Sequence, residues 1–250
     1  TDHFCGTAVT AAAVAFGLPA EAVRTVERPE ERAFQQISRE IQAGEFSHLI
    51  AIERVGPSHD EESLRRQSSP NSATLKRFLE DVPHQSRGHC HNMRGDNIDA
   101  QSGPIHELFD LATTARHPVK TIGIGDGGNE IGMGSIPWEQ LRQVLTGPHH
   151  GRIICRIPTD WTILAGTSNW GGYALAAATL LLRGETDAMA TFDSDFIRRA
   201  LAQLVTTGPA VDGVTGLPTH SVDAIPFLTY IQPWIAIRRH LNLPDSTTVD

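Results

Sequence analysis

The sequence predicts an α/β fold: a mainly parallel, open sheet with helices on both faces. Three observations carry this. Short apolar, β-rich runs alternate with stretches of helical periodicity, a pattern met where a parallel sheet is covered on both sides. These runs end in polar or glycine-rich residues, as strands do when they open into loops at the rim of a sheet. With 250 residues and 40% hydrophobic content, the chain is long enough to bury one such core, Rossmann-like in style, without disulfides or metals.

In chain order, residues 8–16 form an Ala-rich helix stopped by Gly17 and Pro19, and residues 30–42 an amphipathic helix stopped by Gly44. Residues 48–52 read as a short buried strand ending in Glu53 and Arg54. From about 57 to 103 the chain is polar and rich in Ser and His, broken by Pro70, Pro83 and Gly88. It is expected to be an excursion or lid with one short helix at 73–81. A helix near 105–115 precedes a second buried strand, 119–124, which runs into the glycine-rich residues 125–134. Pro137 then suits the first turn of a helix reaching Leu145. Residues 151–157 and 161–165 are further strand candidates. The second passes through Ser168, Asn169, Trp170, Gly171 and Gly172 into a helix over 173–183. Helices at 193–205 and 225–240, the latter kinked at Pro233, complete one expected α/β domain over 1–250.

A formal charge of −8 and a pI near 5.8 argue against nucleic acid, because no clustered Lys and Arg could neutralise phosphates. The longest apolar stretch, residues 174–182, is roughly half of what a bilayer demands, so no membrane span is expected. Cys5, Cys90 and Cys155 lie far apart in no zinc or redox spacing, which suits a reducing compartment. The chain opens at Thr1 with neither Met nor a charged-then-apolar leader; a missing N-terminal portion is the expectation. A small-molecule partner is the better reading, and the sequence leaves room for a homo-oligomer.

Three strand ends are unusually polar: Glu53 with Arg54, Asp126 with Asn129 and Glu130, and Ser168 with Asn169 and Trp170. Residues 123–128 fit G-x-G-x-x-G formally, but Asp126 and Glu130 would repel a pyrophosphate. The same loop is similar to the Gly-Asp-Gly-x-Asn-Asp loop of haloacid-dehalogenase-type phosphatases, whose carboxylates hold Mg²⁺. That family also needs an upstream Asp-x-Asp nucleophile. The pair Asp193 and Asp195 lies downstream, where capping a helix is the simpler role. Ser168 to Gly172 could seat a carboxylate on backbone N–H groups, or be an ordinary N-cap with a core tryptophan. Asn92 and Arg94 close the polar excursion, where Arg94 could grip a carboxylate in two-pronged fashion or stand solvated. His89 and His91 flank Cys90 without an evident third metal ligand. No G-x-S-x-G elbow marks a serine hydrolase.

Taken together, residues 52–56, 92–95, 104–109, 121–134 and 168–175, with 211–216 and 222–223, resemble the C-terminal domain of D-glutamate cyclases over about 45–226. The resemblance implies an α/β fold and a hydro-lyase reaction closing D-glutamate to 5-oxo-D-proline with loss of water. It further implies a cytoplasmic setting for a bacterial-type member and a mitochondrial one for an animal member. Family members from animals carry a second domain upstream. The insert between Ser58 and Cys90 is longer than in those members.

The chemistry of cyclisation assigns the roles. One base, one acid and an electrophile are needed. Glu53 or Glu130 serves as base and partner acid, while Asp126, with Glu130, would hold Mg²⁺ or Mn²⁺ against the γ-carboxyl group. Asn129 belongs to the same loop. Arg54 or Arg94 anchors a substrate carboxylate, and Asn169 with the N–H groups of Trp170 and Gly171 steadies the developing oxyanion. The alternatives are a Mg²⁺-dependent phosphatase and a non-catalytic domain that binds an acidic amino acid.

Overall fold

The computed structural model describes residues 1–67, 72–117, 119–147 and 149–246. In chain order the helices and strands are α1 (Gly6–Ala15), α2 (Arg32–Ala43), β1 (His48–Ile52), α3 (Glu61–Arg66), α4 (Ser72–Asp81), α5 (Ile105–Thr114), β2 (Lys120–Gly125), α6 (Trp138–Val144), α7 (His150–Ile153), β3 (Trp161–Leu164), α8 (Ser168–Arg183), α9 (Ser194–Thr206), α10 (Phe227–Tyr230) and α11 (Gln232–His240). The chain is α/β and divides into two compact units. One comprises Asp2 and Val26–Gly171, the other His3–Thr25 and the residues from Gly172 onward.

The first unit holds the sheet, in the order β1-β2-β3 and parallel throughout. Parallel neighbours need crossovers, supplied between β1 and β2 by α3, α4 and α5, and between β2 and β3 by α6 and α7. All three strands therefore end at the same rim. β2 is the buried centre, whereas β1 exposes Ile50 and Ile52 and β3 exposes Trp161 and Leu164. The expectation that 48–52 is a buried strand is corrected: β1 is an edge, and only Ala51 is buried.

Residues 151–157 do not form the expected strand. α7 takes the first part, and residues 154–157 then thread the core between loops: Arg156 N–H donates to Pro57 O (2.9 Å) and His59 N–H to Ile154 O (3.0 Å), one isolated antiparallel bridge, while Cys155 N–H donates to Gly128 O (3.0 Å). Ile153, Ile154, Cys155 and Ile157 are buried because the segment is surrounded, not because it lies in a ladder; an apolar run alone cannot tell these cases apart. The polar stretch from 57 to 103 also reaches inward, giving Leu64, Phe78 and Val82 to the core around Trp138. Pro70, read as a breaker, lies outside the described residues.

In α2 the apolar Phe34 and Ile41 face α5 and Val119, and Gly44, at φ 75°, ends the helix in the left-handed region. α3, absent from the sequence reading, is set by Asp60, whose carboxylate accepts from Ser63 N–H (2.7 Å) while Asp60 N–H donates to Ser63 Oγ (3.0 Å).

The second unit is helical. Met189, Ile197, Ile231, Trp234 and Ile235 form its core. The expected helix over 225–240 is two, α10 and α11, parted at Ile231 with Pro233 in the opening turn of α11. Asp193 caps α9 by accepting from Phe196 N–H (2.7 Å), and Asp195 pairs with Arg198 and Arg199. Both aspartates thus serve the start of α9, the simpler of the two roles read from the sequence. Among the described residues, no helix is long and apolar enough to cross a membrane.

Candidate active site

β1 ends at Ile52, and Glu53 follows in the left-handed region at φ 53°, held by its N–H to Ile124 O (3.0 Å). A side chain there costs on the order of 1 kcal/mol, so the surrounding bonds must impose it. They do: Gly56 N–H donates to Asn129 O (3.0 Å) and Ile131 N–H to Arg54 O (2.7 Å), laying residues 53–56 along 129–131. Glu53 is thereby turned over the loop that ends β2.

That loop binds an anion, and the anion is its own. Glu130 Oε1 accepts from the N–H groups of Asp126 (3.0 Å) and Gly127 (2.6 Å), and Oε2 from Gly128 (2.7 Å). Glycine is needed because the carboxylate folds back so closely. A Cβ at Gly125 would stand 2.8 Å from Glu130 Cδ, and one at Gly127 3.1 Å from Oε1. The glycine pattern that suggested a phosphate cradle thus accommodates Glu130, and the N–H groups a pyrophosphate would use are taken. Burial pushes the Glu130 carboxyl above its usual pKa, and the nearby charge of Asp126 adds to this. The N–H groups of Asp126 and Gly127, and its own, resist the rise without cancelling it.

Asp126 points the other way. Its Oδ2 accepts from Ser168 N–H (3.0 Å), the first residue of α8. Carboxylate oxygens of Glu53, Asp126 and Glu130 all lie within 4.8 Å of one another, Glu130 buried and the other two reaching solvent. Three carboxylate donors gathered this way are the donor type that a small hard cation such as Mg²⁺ or Mn²⁺ prefers.

The Ser168 to Gly172 segment is not a turn before the helix, as expected, but its first turn. Its close seat on the sheet comes from Gly171, where a Cβ would lie 2.6 Å from Ile124 Cγ2. Two N–H groups of this region are already engaged, Ser168 with Asp126 and Trp170 with Thr167 O (3.1 Å), so the Trp170 N–H is not an open oxyanion donor. Asn169 is exposed, and the Trp170 ring lies against Gly166. The hydroxyls of Thr167 and Ser168 are buried with no hydrogen-bond partner among the described residues. Thr167 had no signal in the sequence beyond its place at a strand end.

The remaining candidates are tied elsewhere. Arg54 pairs with Asp2, a partner that sequence reasoning missed. Asn129 is buried and donates through Nδ2 to His91 O (2.8 Å), fastening the loop to the 89–92 segment. Asn92 spends its side-chain oxygen on the N–H groups of Arg94 and Asp96 (2.9 and 3.0 Å) and its amide on Asp96 (3.0 Å). The turn it builds carries Met93 onto Gly127, where an added Cβ would meet Sδ at 2.6 Å, and presents Arg94 at the surface beside the loop. His89 and His91 do not converge: His89 meets Asp99 (2.6 Å) and His91 meets Ser86 O (2.8 Å). Among the described residues, the acidic trio is the one group of three or more metal-capable side chains brought together.

A family model described as D-glutamate cyclase-like, C-terminal, matches residues 65–233, which include Asp126, Glu130 and the start of α8. The chain belongs to this family. It is also 30% identical over 211 residues to the human protein named D-glutamate cyclase, mitochondrial, an alignment that covers 74% of this chain and 28% of the human one. The chain therefore spans well under half of that cyclase's length. Glu53 and Arg54 precede the span of the family model.

Proposed function

We propose that this member of the D-glutamate cyclase family is a carbon–oxygen hydro-lyase that closes D-glutamate to 5-oxo-D-proline with loss of water. The observation that carries the reading is the trio Glu53, Asp126 and Glu130 at the rim where parallel strands end, beside the first turn of α8.

In this mechanism Glu53, the exposed carboxylate, takes a proton from the substrate ammonium. The freed nitrogen attacks the γ-carbon, forming the ring C–N bond and a tetrahedral centre. Glu53 then returns its proton to the departing oxygen. The ammonium loses two protons in all, and both leave on that oxygen as water, so charge is conserved. Glu130, fixed by three N–H groups, is better suited to be a standing anion than a shuttle. Asp126 and Glu130, with Glu53 alongside, would hold Mg²⁺ or Mn²⁺, which when bound polarises the γ-carboxyl group. Arg94 at the neighbouring turn anchors the α-carboxylate. Asn169 and the positive end of α8 face the developing oxyanion. The three free cysteines suit a reducing setting, cytoplasm or mitochondrial matrix.

Chromatography after incubation with D- or L-glutamate, with and without Mg²⁺ or Mn²⁺, tests this reading. Oxoproline formed from the D-enantiomer alone is the expected result. Thermal stabilisation by D-glutamate without turnover would instead make the chain a binding domain, and release of phosphate from a generic ester would make it a phosphatase.

A further inference from the structure

The sheet-bearing unit has a second cleft, of about 400 Å³, lined among others by Thr113 in the last turn of α5, Ser135, Pro158 and Arg156. α5 leads into β2 and Pro158 into β3, so this cleft opens where the parallel strands begin, at the opposite rim from the acidic trio.

The neutral polar groups of its wall are spent on one another. His59 Nδ1 meets Ser63 Oγ (3.0 Å) and its Nε2 meets Gln67 (3.3 Å), while Gln67 Oε1 accepts from Trp138 N–H (2.9 Å). Ser135 Oγ donates to Thr159 O (3.1 Å) and accepts from Thr159 N–H (2.9 Å), and Thr113 Oγ1 donates to Asp110 O (2.7 Å). Burial, with Arg156 adding to it against the pull of Asp60, brings His59 down to a pKa of about 4, so it is neutral.

Two charged groups stand outside this network: the exposed Asp110 carboxylate on the α5 side and the half-buried Arg156. Its Nε is buried without a hydrogen-bond partner, and no carboxylate pairs with it among the described residues. Its charge acts on His59, Asp60 and His106, the first and last of them made harder to protonate by it. A partly buried guanidinium is costly when unpaired and is shaped for two parallel bonds to a planar or tetrahedral oxyanion. Arg66 adds a second positive charge at the rim, shared with Glu62 (2.6 Å).

We infer that this cleft is a binding site for a small molecule bearing a carboxylate or phosphate, with Arg156 as its two-pronged anchor. It is separate from the acidic trio and independent of the reaction proposed there.

Calorimetric titration of the chain with inorganic phosphate and, separately, with glutarate tests the inference; the tighter of the two identifies the head group. One-to-one saturable binding by at least one is expected. Arg156→Gln should weaken it about tenfold or more, the scale of charge-assisted bonds. Thr113→Glu, at an exposed wall position that leaves packing intact, should weaken it several-fold at low salt. Asp126→Asn should leave it unchanged. Absence of saturable binding by both anions overturns the inference, as does binding that survives both Arg156→Gln and Thr113→Glu. Loss in Asp126→Asn also overturns it, by placing the anion at the trio. Should Arg156→Gln fail to fold, Thr113→Glu decides alone.

Discussion

Removing the Glu130 carboxylate should expose what the glycine loop is built around. Glu130→Ala leaves three N–H groups without acceptors, those of Gly127 and Gly128 buried and that of Asp126 partly so. Each orphaned donor costs about 1–3 kcal/mol, and the lost side chain adds a void. Against this stands relief from burying a charge beside Asp126, the same burial that raises the Glu130 pKa. The net expectation is a loss of about 3 kcal/mol. Glu130→Gln separates the contributions. Its single oxygen can replace Oε1 and keep the Asp126 and Gly127 bonds, but its amide then faces the Gly128 N–H, donor against donor. A loss of about 1–2 kcal/mol follows. Urea denaturation measures both variants, and hydrogen exchange at the three amides reports the cause. In Glu130→Gln the Gly128 amide should exchange faster while Gly127 stays protected. Unchanged protection at all three amides in Glu130→Ala would refute the claim that this carboxylate organises the loop.

Asp126→Asn should abolish oxoproline formation while leaving the denaturation midpoint within about 1 kcal/mol of the parent, since its Oδ2 bond to Ser168 N–H can be kept by an amide oxygen; full activity would remove Asp126 from the mechanism. Arg94→Ala should raise KM with little change in kcat in steady-state assays, and an unchanged KM would assign it to the surface. Gly123→Ala should cost about 3 kcal/mol or more by chemical denaturation, because the new Cβ would lie 2.3 Å from Ile131 O and 2.5 Å from Gly132 Cα, backbone atoms that cannot step aside. Burial pushes the Asp212 carboxyl up, but Ser221 Oγ and the N–H groups of Thr215, Ala224 and Val214 outweigh it and hold its pKa below the usual range. Its contribution is therefore present above the unfolded value near 3.9 and lost as pH falls below that. Asp212→Asn should lower stability by about 1–3 kcal/mol at pH 7 and flatten the acid limb of the thermal-denaturation profile, which unaltered slope would contradict.

Much of the α/β reading was open to inspection of the residues, because helix periods and the stops at Gly17 and Gly44 are local properties. The three polar strand ends were legible for the same reason, and parallel topology then gathers them at one rim. What escaped depended on distant partners. Residues 151–157 have the composition of a strand but meet residues 57–59 in only one isolated bridge, and the exposure of Ile52 is hidden because a sequence does not say which strand is the edge. Arg54 and Asn92 were plausible ligands until Asp2 and Asp96 engaged them. The return of Glu130 onto its own loop left a trace, glycines flanking an acid, yet the same trace is left by a phosphate site. Nothing in the sequence singles out Arg156, since an unpaired cation is defined by everything around it.

Glu53 and the pair Asp126 and Glu130 belong to successive strands, with a crossover of three helices between them. Repulsion between Glu53 and that pair is thus absent from the unfolded chain and arises when β1 and β2 come together, so it opposes their pairing. Whatever neutralises the trio should stabilise the folded chain, and proteolytic lifetime should lengthen with such a guest even under conditions where no product forms.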